Sequence, residues 1–398
     1  MEQKHKRQKE IRNDLLINKK VYVNELAKKL NVSTRTIRND LAELSEKNKC
    51  ILFHGGAKVY TKPIASLFNQ SALHGIGVKK PTSKVKSNLK HTSSVYILGS
   101  FNVDIVMEVD KFPKSEETRH ATNTAFFPGG KGLNQALAAS KIINNVHLTV
   151  KIGDDNFAEQ AKTFLHHSDI QSIRILEANA KSTGHAIILN NQLGECLITC
   201  NLGANESLTI DELKQDFDLI DDAQIVLTQL ENNFEITKWV ILQAHELKKT
   251  VILHLSPYKA KVTELLHLVD ILTLGVIEAE AIFNISINNI EDAKKALWLL
   301  HEKGVKHSII FMKNKGYIWF DGKQCHLFSL HKSAVVDTSG MMDAFTGALA
   351  GCLADQQSMD AAITFSCDFA SLKIEQKGAS TMPNRELVQV FNHFKINT

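Results

Sequence analysis

From residue 94 onward, short β-rich apolar runs at 95–98, 148–152, 225–230, 250–255, 271–274 and 308–312 alternate with amphipathic stretches. Runs this short, apolar at nearly every position rather than every second one, are the mark of strands buried on both faces. Their alternation with helical stretches predicts α/β architecture: a mainly parallel, doubly wound sheet that binds ligands at the carboxyl ends of its strands. With 398 residues and 43% hydrophobic content the chain can bury a sizeable core, and two or more globular units are expected.

The charge is distributed unevenly. Residues 1–60 carry 14 Lys and Arg against 7 Asp and Glu, and residues 61–93 add 6 Lys and no acid, whereas the remainder is acidic by 9. A basic front on an acidic body suggests a polyanion-binding module joined to something else. The six cysteines form no Cys-x-x-Cys pair, so neither a zinc cluster nor a disulfide framework is indicated and a reducing cytoplasm is expected. No apolar stretch reaches the length of a spanning helix, which argues against membrane insertion and export. The seventeen histidines show no metal spacing, and the pair His166-His167 is expected at the surface near a helix end.

In the first sixty residues a helical pattern at 5–18 places Ile11, Leu15 and Leu16 on one face, and a second short one carries Leu26, Ala27 and Leu30. Asn31-Val32 breaks it, Ser33 is suited to cap a third helix, and Ile37, Leu41 and Leu44 recur there at helical spacing. That spacing turns Arg35, Arg38 and Asn39 outward, with Thr34 and Thr36 beside them. Arg can bind guanine bidentately and Asn can bind adenine, so this helix is a candidate major-groove reader. The run 51–60, with Gly55-Gly56 at its turn, predicts a hairpin wing. Val23-Asn24-Glu25-Leu26-Ala27, Val32 through Leu41, and His54-Gly55-Gly56-Ala57 resemble the winged helix-turn-helix of DeoR-type regulators, which implies a DNA operator as partner; a basic domain making only protein contacts is the alternative. Residues 61–93, rich in Ser and Lys, are expected to be a flexible basic linker. The expected domains are therefore 1–60, 61–93 and 94–398.

The body carries ordered motifs. Gly99-Ser100-Phe101-Asn102-Val103-Asp104 follows the first strand, Gly129-Gly130-Lys131-Gly132-Leu133-Asn134-Gln135 lies further on, and Gln229-Leu230-Glu231 and Asp337-Thr338-Ser339-Gly340-Met341-Met342-Asp343 follow. Together with Ser182-Thr183-Gly184 and Asn201-Leu202-Gly203-Ala204-Asn205, they resemble the ribokinase-like (PfkB) sugar kinases over essentially all of residues 94–398. The resemblance implies sugar contacts from Asn102, Asp104, Gly130, Lys131, Asn134, Glu231 and Asp343, the last being the catalytic base in an active enzyme. It implies a small β-lid at 105–127, which in that family often pairs subunits, so a homodimer is expected. It also places Asp337 in a monovalent-cation loop. Carboxylates and Asn suit hydroxyl recognition because they offer acceptors, and Asn a donor as well.

On the nucleotide side the chain departs from that family three times. Gly275-Val276-Ile277-Glu278 keeps Glu278 but has Gly where an Asn is usual, Phe311-Met312-Lys313-Asn314-Lys315-Gly316 alters a glycine loop, and Met341 and Met342 replace small residues beside Gly340 in the turn that holds phosphate. The site formed by Glu278, Lys313, Gly316, Gly340, Met341 and Met342 is therefore expected to be degraded, since oriented amides in such a turn carry much of phosphoryl-transfer catalysis. The expected function is a DNA-binding regulator that senses ribose or a related sugar. The alternative is an active ATP-dependent kinase phosphorylating a primary hydroxyl and also binding DNA, with ATP, Mg²⁺ and a monovalent cation as its cofactors; a sugar-binding scaffold without an operator is a third.

Overall fold

The computed structural model describes residues 4, 7, 8, 10, 11, 14, 20–46, 50–53, 56–59 and 93–388, apart from 194, 332 and 333. The chain divides into two compact units, Met1–Gln70 and Ser71–Thr398. The expected tether at 61–93 lies, but for Ser93, outside the described residues.

The first unit contains β1 (Lys20–Tyr22), α1 (Val23–Lys29), α2 (Thr34–Glu46), β2 (Cys50–Phe53) and β3 (Gly56–Val59). Leu26 and Ala27 of α1 and Ile37, Leu41 and Leu44 of α2 meet Ile11, Val21, Val23 and Ala57 in one core, as their three- and four-residue spacing requires. Ser33 does cap α2, its Oγ accepting the Thr36 backbone N–H at 3.1 Å. Residues 7, 8, 10, 11 and 14 of the expected first helix are helical, while Leu15 and Leu16, and His54 and Gly55 of the wing, lie outside the described residues. The wing is three-stranded, in the order β1-β3-β2 with antiparallel pairs; β1, three residues long, is too short to show a period.

The second unit is built on a nine-stranded sheet. Its strands are β4 (Ser94–Leu98), β7 (Asn145–Ile152), β8 (Ser172–Glu177), β11 (Ile225–Thr228), β12 (Thr250–His254), β13 (Ile271–Gly275), β14 (His307–Phe311), β15 (Tyr317–Phe320) and β16 (Cys325–Phe328), in the order β16-β15-β14-β13-β12-β11-β4-β7-β8. From β14 to β8 every pair is parallel, and β15 and β16 add an antiparallel edge. The six apolar runs are β4, β7 and β11 to β14. The covering helices include α3 (Lys131–Ser140), α4 (Asn156–His166), α5 (Ile210–Leu213), α6 (Phe217–Asp222), α7 (Phe234–Glu246), α8 (Val276–Phe283), α9 (Ile290–Glu302), α10 (Met341–Ala354) and α11 (Met359–Lys373). His166 and His167 are exposed at the end of α4.

The lid is larger than the expected 105–127 segment. β5 (Asn102–Glu108) and β6 (Asn123–Gly129) are joined by β9 (Gly184–Asn190) and β10 (Cys196–Asn201) in a sheet ordered β10-β9-β5-β6. Half of the lid thus comes from a distant part of the chain, because β9 pairs parallel with β5 from Asn102↔Gly184 to Glu108↔Asn190. Beneath it, α3 and α10 approach closely: a Cβ on Gly347 would stand 2.2 Å from the Gln135 carbonyl oxygen and one on Gly351 2.8 Å from Ile142 Cβ. Those glycines in α10 bring the start of α3 against the start of α10, where the site lies.

Candidate functional site

Asp343 is the third residue of α10 and is 5% exposed. Both carboxylate oxygens are fixed from α3: Asn134 Nδ2 donates to Oδ2 at 3.0 Å and Gln135 Nε2 to Oδ1 at 3.1 Å. Gln135 is held in turn by Gln229 Nε2, which donates to its Oε1 at 2.6 Å. Burial raises the Asp343 pKa, against the opposing effects of Lys131 and the two amide donors. His254 Nε2 stands 3.9 Å from Asp343 Oδ1, yet burial, aided by the Lys131 charge, holds His254 down to about 3. The imidazole is neutral, and its Nδ1 lies 3.0 Å from Thr273 Oγ1.

The residues expected to contact sugar converge on the same place. Asn134 Oδ1, beside Asp343, is buried with no hydrogen-bond partner among the described residues. It is an acceptor with capacity for one more donor, and buried polar atoms are rarely left single. Asp104 lies on β5 over Gly129, where a Cβ would come within 2.4 Å of its carboxylate oxygens. Burial first, then the charge of Glu231, pushes Asp104 up to about 7, with Lys131 opposing. Lys131 opens α3; burial works against its charge, but Asp343, Glu231 and Glu278 prevail and raise its pKa. Glu231 is 7% exposed, and its Oε2 accepts the Ser100 hydroxyl and the Lys131 backbone N–H, the latter at 2.9 Å. Glu231 therefore also caps α3.

The glycines in this motif make room for protein. At Gly130, φ 100, a Cβ would meet Ser100 O at 2.5 Å, and at Gly132 it would meet Gly99 Cα at 2.1 Å. Asn102 is buried, and its Oδ1 accepts Asn205 Nδ2 at 3.0 Å. Asn205 further bonds Phe101 N and O at 3.1 Å each, locking the turn after β4.

On the nucleotide side two of the departures fall together. A Cβ on Gly275 would stand 2.7 Å from Glu278 Oε2 and 3.9 Å from Met342 Sδ, so Glu278 folds back over the start of α8 with the thioether beside it. Glu278 Oε1 accepts Ser256 Oγ at 3.2 Å. Met341 is buried and Met342 half-buried. The turn itself keeps its form: Gly340 is left-handed at φ 70, no side chain caps α10, and the amides of Met342 and Asp343 have no acceptor within the helix. Lys313, at φ 50, is exposed, and Gly316 at φ 89 would place a Cβ 2.0 Å from Phe328 O. No trio of His, Cys, Asp and Glu side chains among the described residues converges on a metal position. Asp337 gives both carboxylate oxygens to backbone amides, Ser339 N and Gly378 N at 2.8 Å each.

Gln135, Gln229, Asn205 and His254 also belong to this network; the first three stand in the quoted motifs without a role assigned to them, and His254 stands in none. In the N-terminal unit Arg35, Arg38 and Asn39 are exposed on α2, and Thr34 and Thr36 half-buried.

A buried carboxylate held at a helix start, below a β-lid and at the carboxyl ends of a doubly wound sheet, defines the sugar-kinase class of α/β proteins. The family model described as pfkB family carbohydrate kinase matches residues 92–386, and that of the DeoR-like helix-turn-helix domain matches residues 7–62. The chain belongs to the pfkB family of carbohydrate kinases and carries a DeoR-like helix-turn-helix domain. It is 30% identical to a ribokinase of Staphylococcus aureus over 72% of this chain and 95% of that one. Among solved structures, ribokinase from Thermotoga maritima superposes with a TM-score of 0.68 at 28% identity, covering 75% of this chain and 99% of that one. Arabidopsis thaliana ribokinase complexed with ribose and ATP gives 0.67 at 28% identity, covering 75% and 98%. No helix among the described residues is long and apolar enough to cross a membrane.

Proposed function

We propose that the chain is a sugar-responsive DNA-binding regulator: a DeoR-like domain at 1–60 holds an operator, a linker at 61–93 follows, and a ribokinase-like domain at 94–398 binds ribose or a related sugar. It acts in the cytoplasm as a homodimer, which suits the paired half-sites that helix-turn-helix proteins read. The observation that carries the sugar reading is Asn134, whose Nδ2 holds Asp343 while its buried Oδ1 has no partner. A sugar hydroxyl donating to Asn134 Oδ1, with a primary hydroxyl donating to Asp343, supplies what this pair lacks. Asp104 and Lys131 complete the recognition set with a carboxylate and an ammonium, and Asn102 and Gly130 shape the turn that carries them.

For phosphoryl transfer the residues fit in part. Bound ATP with Mg²⁺ would bring the phosphoryl group and its charge neutralisation, with Glu278 the carboxylate left to the metal. Asp343 would take the proton of the primary hydroxyl, and the Met342 and Asp343 amides would hold negative charge. Against this, Met342 and the folded-back Glu278 take the space beside Gly275. Transfer is therefore weak, and the domain serves chiefly as a receptor. The Met342 and Asp343 amides, without an acceptor in α10, favour the second reading, an active ribose kinase that also binds DNA.

Calorimetric titration of ribose into the full chain, with ADP release followed in parallel, separates these readings. Saturable ribose heat, weakened about tenfold or more in Asn134→Ala, is the expected result. No heat from ribose ends the ribose reading, and turnover of about 1 to 100 per second establishes the kinase.

A further inference from the structure

Lys373 closes α11, and its side chain is fully buried. A buried ammonium ordinarily faces a carboxylate, but this one faces backbone oxygen: Nζ lies 3.5 Å from Asp337 O and 3.5 Å from Gln376 O. The two carbonyls belong to turns stitched to each other. Val336 N and Asp337 N both donate to Ile374 O, at 2.8 and 3.0 Å, and the Asp337 carboxylate accepts Ser339 N and Gly378 N. The Asp337 carboxylate thus already accepts one amide on each oxygen. The two carbonyls beside it face an ammonium, at the negative end of α11. Burial lowers the Lys373 pKa, while the Asp337 and Asp343 charges favour its ionised form.

The position has consequences for the site. Three residues beyond Asp337 stands Gly340, the N-cap of α10, pressed so closely on the second turn that a Cβ would meet Ala379 O at 2.4 Å. Whatever fixes the two turns to each other fixes the first turn of α10 and Asp343 within it.

We propose that Lys373 is a tethered replacement for an exchangeable monovalent cation at this pair of turns, so that the chain orders the start of α10 without potassium. An ammonium carried by its own side chain supplies the charge that the carbonyls require, and it cannot be washed out. Lys373 is on this account a positioning residue, not a catalytic one. The inference holds whether the domain senses sugar or phosphorylates it, and its test reads stability and ion binding rather than either activity.

The full chain is melted in potassium, rubidium, sodium and tetramethylammonium chloride at one ionic strength. Wild type is expected to melt at the same temperature in all four. Lys373→Ala, which opens a hole among the carbonyls, is expected to melt lower in tetramethylammonium and to recover by roughly 2 °C or more in potassium or rubidium. Lys373→Met, which fills that hole without a charge, is expected to show no such recovery. A potassium-selective rise in wild type overturns the proposal, and so does a folded Lys373→Ala indifferent to the ion. If Lys373→Ala folds in none of these salts, anomalous scattering from thallous-soaked crystals of the wild type decides: thallium among the Asp337 and Gln376 carbonyls overturns the proposal, and its exclusion supports it.

Discussion

At the scale of single residues the site is governed by how much negative charge it gathers out of water. Asp104, Glu231 and Asp343 share one buried neighbourhood with Lys131 as the cation among them. The cost falls on Asp104, which burial and Glu231 push up to about 7 from an ordinary carboxyl's 3.8. Because the folded pKa is the higher, protonation favours the fold: the contribution is full below about pH 4 and is lost as pH rises through about 7. Asp104→Asn removes that dependence. Its melting temperature is expected to gain on wild type steadily between pH 4 and pH 7, in the absence of sugar, and to hold a constant margin above. A margin that does not change with pH would show that Asp104 titrates normally. Sugar binding has the opposite sign, since hydroxyls donating to Asp104 need it ionised, so wild-type affinity for ribose is expected to fall as pH drops below about 7.

At the scale of elements, α8 and α10 make one nucleotide-side decision between them. Gly275 and Met342, separate departures in the sequence, are neighbours in space, with Glu278 folded into the gap. Restoring Asn at 275 alone puts a Cβ 2.7 Å from Glu278 Oε2, so the single change is expected to leave ATP turnover no better. Gly275→Asn with Met342→Gly returns the side chain and removes the thioether beside Glu278, giving that flexible carboxylate room to swing off the new Cβ, at a cost of about 1 kcal/mol for glycine in a helix turn. ADP release is expected to rise about tenfold or more, a fraction of what an oriented donor is worth; an unchanged rate in a folded double variant would locate the limit elsewhere. The two departures were each visible as residues, but their contact was not, because no local pattern reports which side chains meet across sixty-seven positions of chain. The central strands were legible because burial on both faces makes them continuously apolar. β8 is an edge strand in which Arg174 interrupts the apolar run, and β9 and β10 belong to a half-exposed lid, so neither showed that signature. Asp343 and Asn134 were legible from motifs. His254 and Lys373 were not, since neither falls in a motif and each acquires a role only from what folding sets against it; Gln229 stood in a motif, but nothing in the sequence showed that its amide would hold Gln135.

At the scale of the whole molecule, the proposed function rests on two units that each read a different chemistry. The outward face of α2 presents Arg35, Arg38 and Asn39, while Asp40, on its inner side, is 1% exposed and paired with Arg7 Nε at 2.5 Å. Sequestering that carboxylate leaves the face basic, which phosphate contact demands. Each arginine that neutralises a phosphate releases about one counterion, so Arg35→Ala/Arg38→Ala is expected to weaken operator binding and to lower the slope of log affinity against log salt by about 2. For sugar to regulate that binding, its affinity must differ between the operator-bound and free protein. A coupling of about 1 to 3 kcal/mol corresponds to about 5- to 150-fold, and thermodynamic linkage makes it reciprocal. The factor by which saturating ribose changes operator affinity should therefore equal the factor by which saturating operator changes ribose affinity. Asn134→Ala should lose its ribose response at ribose concentrations that saturate wild type while keeping wild-type operator affinity without sugar. Measured by anisotropy of labelled operator and by calorimetry of ribose on the same preparation, equal factors above about 5 establish a sensor; a ribose effect of unity on operator affinity, with ribose bound, leaves a sugar-binding protein whose DNA contact is constitutive.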